Sequence, residues 1–241
     1  MKSALSFIVS TLLLQFVVGD TVTGEVGVRM TRSKGGKGDK NGKGRKGDSP
    51  MMTNLTLNIL NEAFKQPFSP FFVMVHNSDA EPLYVRGQEA SDALATLAEN
   101  GDSTDLVSHY DGADGVYFAG TEGGLTLGGE TLSFMVEVTD EFPLVTIASM
   151  AVNTNDCFVA LNGVPLLPGM VLDTPGLDAG SEENNENCTS IPGPACDPQS
   201  GNVADGEGEG FVHIHRGVRG DTNLTLDFDW RNPMMRVSVS E

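Results

Sequence analysis

The stretch TLSFMVEVT, Thr131–Thr139, sets Leu132, Phe134, Val136 and Val138 against Thr131, Ser133, Met135, Glu137 and Thr139 on alternate positions. Side chains of an extended chain point alternately to opposite faces, so this pattern reads as a strand with one buried face. Working outward, FFVMVHN (Phe71–Asn77), PLYVRG (Pro82–Gly87) and VTIASMAV (Val145–Val152) carry the same signature between clusters of Gly, Pro, Asn and Asp. DCFVALNG, GMVLDT, GFVHIHRG and LDFDWRNPMMRVSV complete the set. One stretch departs from it. In ASDALATLAENG, Ala90–Gly101, Ser91 suits an N-cap, Leu94, Leu97 and Ala98 form a stripe, and Gly101 is a stop signal, which predicts a short helix. About eight strands and one helix predict an all-β fold, an antiparallel β-sandwich.

The ends of the chain carry different information. A single Lys2 precedes an apolar run from Ala4 to Val18 that closes on Gly19, the pattern of a secretory signal peptide over residues 1–19. An uncleaved anchor is the alternative, although Ser10, Thr11 and Gln15 interrupt the run. No later stretch is long and apolar enough to span a membrane, and a secreted protein is expected. Residues 20–50 form a linker, and its part SKGGKGDKNGKGRKGD, Ser33–Asp48, contains nothing apolar with which to offset chain entropy. It reads equally as a polyanion- or mineral-binding segment and as a solubilising spacer. The body, residues 51–241, is long enough for one core.

Net charge is −18, but residues 49–241 alone hold 6 basic and 29 acidic side chains. Such a surface repels phosphates, which argues against nucleic acid and anionic lipid as partners and favours cations. Of three cysteines, Cys188 and Cys196 bracket a short Pro-containing loop and form the favoured bridge, with a bridge from Cys157 to either still open. Asn54, Asn187 and Asn223 each begin an N-x-T glycosylation sequon.

The candidate chemistry lies in DAGSEENNE, Asp178–Glu186, with four acidic side chains in nine residues. Calcium takes six to eight oxygens, usually from loops that turn at glycine. Asp178 and Glu182 flank Gly180, with Asp173 just upstream, but this is not an EF-hand, and a solvated acidic loop is the simpler reading of the spacing alone. VNTNDCF offers a second cluster, with Asp156 opening a strand.

Five segments in order, VMVHNSDAEPLYVRGQEASDALATLAENGD, ASMAVNTNDCFVALNGV, LDAGSEENNE, GEGEGFVHIHRGVRG and DFDWRNPMMRVSV, resemble the spondin domain in its stand-alone form, over about Met51–Glu241. The resemblance implies a secreted C2-like sandwich of about eight strands holding one calcium ion (Ca2+). The family's ligands fall on Asp156, Asp178 and Glu182, and a fourth, by register, on Glu137. Cys157 stands where family members often have an aromatic, and Glu182 where an Asp is commoner. The resemblance also implies adhesion, or recognition of an extracellular protein or glycan at the matrix or cell surface.

The rival reading is a transition-metal protein. His213 and His215 in FVHIHRG share one face of a strand and suit zinc or copper, with His76 or Glu209 as a third ligand. Histidines packed within the sandwich are the simpler alternative. No nucleophile elbow, zincin helix or nucleotide loop is present in the sequence, so no enzyme is expected. Trp230, the sole tryptophan, is expected to anchor the core.

Overall fold

A computed structural model describes residues 51–196 and 207–241; the leader at 1–19 and the linker at 20–50 lie outside the described residues. Ten strands form two antiparallel sheets. One contains β1 (Met52–Asn61), β4 (Thr131–Thr139), β7 (Val171–Thr174) and β10 (Met235–Ser240), in the order β4-β1-β10-β7. The other contains β2 (Phe71–His76), β3 (Val116–Glu122), β5 (Leu144–Met150), β6 (Cys157–Pro165), β8 (Leu177–Asp178) and β9 (His213–Ile214), in the order β3-β2-β5-β6-β8-β9. The expected all-β sandwich is what forms.

The sequence pattern of each strand follows from how many of its faces are covered. On β1, Leu55, Leu57 and Ile59 alternate into the space between the sheets, where they meet Phe71, Val73 and Val75 of β2 and Val237 and Val239 of β10. Strand β2 is buried along its whole length because Phe72 and Met74 face the other way, into a second apolar layer. That layer is roofed by α1 (Asp92–Asn100) and α2 (Thr104–Tyr110) through Leu94, Leu97, Leu106 and Tyr110. Burying side chains of this size contributes roughly 1.5–3 kcal/mol each. The predicted caps of α1 are present. Ser91 Oγ accepts from the Leu94 N–H at 3.2 Å, and Gly101, at φ +68°, turns the chain away.

Several expectations need correction. PLYVRG is not a strand, because the side chain of Asn162 takes the place of a ladder. Its Oδ1 accepts from the Leu83 N–H at 3.2 Å and its Nδ2 donates to the Tyr84 carbonyl at 2.9 Å. A second helix, α2, forms where one was expected, and β1, β3 and β8 were not anticipated. GFVHIHRG shrinks to the two residues of β9, and within LDFDWRNPMMRVSV only Met235–Ser240 is strand, after a 3-10 turn at Leu226–Phe228. Trp230 is buried as expected, and its ring lies 5.1 Å from that of His215. Cys188 and Cys196 are disulfide-bonded with Cα atoms 5.4 Å apart, and Cys157 is a buried free thiol.

Candidate metal centre

Two short ladders assemble the site. Cys157 of β6 pairs with Asp178 of β8, and Asp178 pairs in turn with His213 of β9. Residues opposed in adjacent strands lie about 5 Å apart, so this register alone brings the three positions into one row. Asp156 joins from the residue before β6, where its carbonyl accepts from the Ala179 N–H at 3.1 Å. Glycines let a second segment close over the row. Gly180 sits at φ +69°, and a Cβ there would meet the Phe211 carbonyl oxygen at 2.5 Å. The Gly210 N–H donates to the Gly180 carbonyl at 2.9 Å, and this contact carries Glu209 to the site.

Each carboxylate is held by named donors. Asp156 Oδ2 accepts from the backbone N–H groups of Ser181 (2.9 Å) and Glu182 (3.1 Å), and Oδ1 accepts from Asn155 Nδ2 (2.8 Å). Asp178 Oδ1 accepts from the Gly180 N–H at 2.9 Å and Oδ2 from Asn184 Nδ2 at 2.6 Å. That same amide donates to Glu209 Oε1 at 3.0 Å, tying the two acids together. Asp156 and Asp178 have no exposed surface. Burial pushes both carboxyls above the ordinary range; the charge of Asp178 raises Asp156 further, while the Asn184 hydrogen bond and His213 partly oppose the rise in Asp178. Among the described residues no Lys or Arg comes within ion-pairing distance of Asp156, Asp178 or Glu209.

The histidines differ in detail although they approach one carboxylate. His213 Nε2 lies 3.6 Å from Asp178 Oδ1 and 3.8 Å from Glu209 Oε2, and His215 Nε2 lies 3.8 Å from Asp178 Oδ2. His213 Nδ1 donates to the Ile214 carbonyl at 2.9 Å. His215 Nδ1 instead accepts from the Gly217 N–H at 3.0 Å. Burial, with Arg216 and His213 nearby, holds the His215 pKa down at about 3, so its ring is neutral. Neither Nε2 has a hydrogen-bond partner. Asp178, Glu209 and His213 each bring one donor atom within 4.8 Å of the others, and this group can hold a metal ion.

The expected residues are thus gathered only in part. Asp156 and Asp178 come together, and Glu182 is buried in the same loop with its N–H on Asp156. Glu137 is kept apart. It lies on β4 opposite Asn54 and accepts from the hydroxyl of Tyr117 on β3 at 2.5 Å. Four strand steps separate β3 from β8 in the sheet order, about 19 Å at the usual spacing. Register within a strand says nothing of which strands are neighbours, and the assignment of Glu137 fails for that reason. Asp173 is engaged elsewhere, with Arg236 at 2.7 Å. His76 is also excluded as a ligand, since its Nδ1 donates to the Asn77 carbonyl and its Nε2 accepts from the Thr146 hydroxyl, both at 2.9 Å. Of the two third ligands considered for the histidines, Glu209 is the one that arrives. Asn184, which bridges Asp178 and Glu209, gives no signal in sequence, being one amide in an acidic loop. Of the sequons, Asn54 and Asn223 are exposed and Asn187 is half-buried.

No protein-family model matches this chain, and no curated protein is similar to it.

Proposed function

We propose that this chain acts outside the cell as a non-catalytic recognition module of the spondin kind, with the loops at one edge of its sandwich fixed by one calcium ion. One observation carries the reading: Asp156 and Asp178 are buried side by side, with no Lys or Arg partner among the described residues. Two desolvated carboxylates repel one another, and a divalent cation offsets both charges at once. Glu182, backbone carbonyls and water complete an oxygen shell suited to calcium. The secreted setting is supported by the apolar leader, the sequons and the Cys188–Cys196 bridge. Among the described residues no helix is long and apolar enough to cross a membrane. The partner is an extracellular protein or glycan, and residues 33–48 add a contact for polyanions.

The test is a thermal melt of the full chain in chelator and then in calcium. A ligand that binds only the native state stabilises it by about 2.7 kcal/mol at a hundredfold excess over its dissociation constant. An upward shift with calcium supports the module, and an unchanged melting temperature rejects calcium as its metal.

A further inference from the structure

We propose that the outer half of this centre is a separate position for a zinc-class cation, held by His213 Nε2, Asp178 Oδ1 and Glu209 Oε2. It shares Asp178 with the calcium reading but depends on different donors. Ligands about 2.0–2.1 Å from a tetrahedral zinc lie about 3.3 Å from one another. The observed separations of 3.6 Å and 3.8 Å from His213 Nε2 to the two carboxylate oxygens are close to that edge length. Spacing alone also fits calcium, but donor chemistry does not. Calcium sites are built from oxygen, whereas imidazole suits zinc, copper and nickel.

The hydrogen bonds assign different tasks to the two histidines. His213 spends its Nδ1 proton on the Ile214 carbonyl, so Nε2 is the ring atom left to meet a ligand. Nε2 faces the two carboxylate oxygens, and these three donor atoms lie within reach of one metal ion. A backbone carbonyl on the other ring nitrogen is the usual support of a metal-ligating histidine. His215 is the opposite case. Its Nδ1 lone pair is occupied by the Gly217 N–H, so the proton of the neutral ring sits on Nε2 and that atom cannot ligate. The His215 side chain is only 4 % exposed, and its Nε2, without a hydrogen-bond partner, lies 3.8 Å from Asp178 Oδ2. It is a positioning residue, placed to steady the Asp178 carboxylate or a metal-bound water. The histidine pair therefore does not chelate as a pair.

Cobalt(II) serves as the probe, added to the metal-stripped full chain, with zinc as competitor and calcium in a parallel melt. The expected result is one equivalent of cobalt with the intense visible bands of four-coordinate N/O ligation, displaced by zinc. His213→Gln should weaken cobalt binding by more than about 100-fold, beyond the 10–100-fold typical of a supporting residue, and His215→Gln by about 10-fold. Asp156→Asn should leave the cobalt spectrum in place while abolishing the calcium shift. His213 is half-exposed, and a chelator melt that coincides with the parent's shows that its variant folds. Equal cobalt affinity in His213→Gln, a larger loss in His215→Gln, or the weak spectrum of all-oxygen octahedral cobalt overturns the assignment. No cobalt binding with an intact calcium shift sinks this inference alone. Cobalt bound without a calcium shift sinks the calcium reading alone, and silence to both sinks both.

Discussion

Asp173 and Asp178 stand five residues apart on consecutive strands and are treated in opposite ways. Asp173 is exposed on β7 and faces Arg236 on β10, whose Nε and Nη2 donate to its two oxygens at 2.7 Å and 3.1 Å. Those hydrogen bonds hold its carboxyl below the ordinary range. Asp178 is wholly buried beside a second acid and two imidazoles, and its carboxyl is pushed up. The first charge is answered by the chain's own cation, at little gain because the pair is wet. The second is met by hydrogen-bond donors and two nearby imidazoles, with no Lys or Arg at ion-pairing distance among the described residues. A carboxylate buried without such a partner costs folding energy, and the proposed calcium site rests on that contrast.

The hardest blow to this contrast is struck at the turn between the two segments. Gly180→Ala puts a methyl group against the Phe211 carbonyl in a left-handed backbone conformation. It should cost roughly 3 kcal/mol and remove the metal response, read from denaturant and calcium titrations. A fully stable variant would mean that the two segments are not locked together.

A milder perturbation uses pH in the presence of chelator. His215 has a folded pKa of about 3 against about 6.5 in the unfolded chain. Below pH 6.5 the unfolded state takes up a proton that the native state refuses, so this contribution is lost as pH falls. The raised carboxyls of Asp156 and Asp178 act in reverse, since the native state keeps protons longer and stability is lost as pH rises through their range. Between pH 6.5 and 5 the parent should lose about 2 kcal/mol relative to His215→Gln. Parallel denaturation profiles for the two proteins would show that His215 is not a buried neutral ring.

The smallest effects belong to the surface acids. Asp173→Asn should change stability by less than about 1 kcal/mol, with the same calcium shift as the parent. Glu137→Gln should also leave that shift unaltered. A lost calcium response in Glu137→Gln would place this residue back among the ligands.

How much of this could be read from the sequence depended on the range of each interaction. Strands β2, β4 and β5 and helix α1 announce themselves through local periodicity and caps, because burial of one or two faces acts on neighbouring residues. Strand β1 alternates just as clearly, with Leu55, Leu57, Ile59 and Asn61 inward, and its pattern is legible in the sequence. PLYVRG misled because the Asn162 amide that replaces its ladder is distant in sequence. The same limit governs the site. Asp156 and Asp178 were paired through family resemblance, since nothing local reveals that β6 lies beside β8. His213 and His215 were seen to share a face, but their division into ligand-type and donor-type rings depends on the Ile214 carbonyl and the Gly217 N–H, which only backbone geometry supplies.

Cys157 lies in that same row, opposite Asp178, and has its own consequence. Burial first, and then the charges of Asp178 and Asp156, push its thiol well above the ordinary range. Thiol–disulfide exchange runs through the thiolate, so the folded protein offers almost no nucleophile there. An unfolded chain with three cysteines can oxidise in three ways, and two of them consume Cys157. The folded chain holds the third pairing, Cys188 with Cys196, and Cys157 is a buried free thiol. The acidic row thus bears on the sulfur chemistry of the fold as well as on its charge, keeping Cys157 a thiol of low reactivity while Cys188 and Cys196 are bridged.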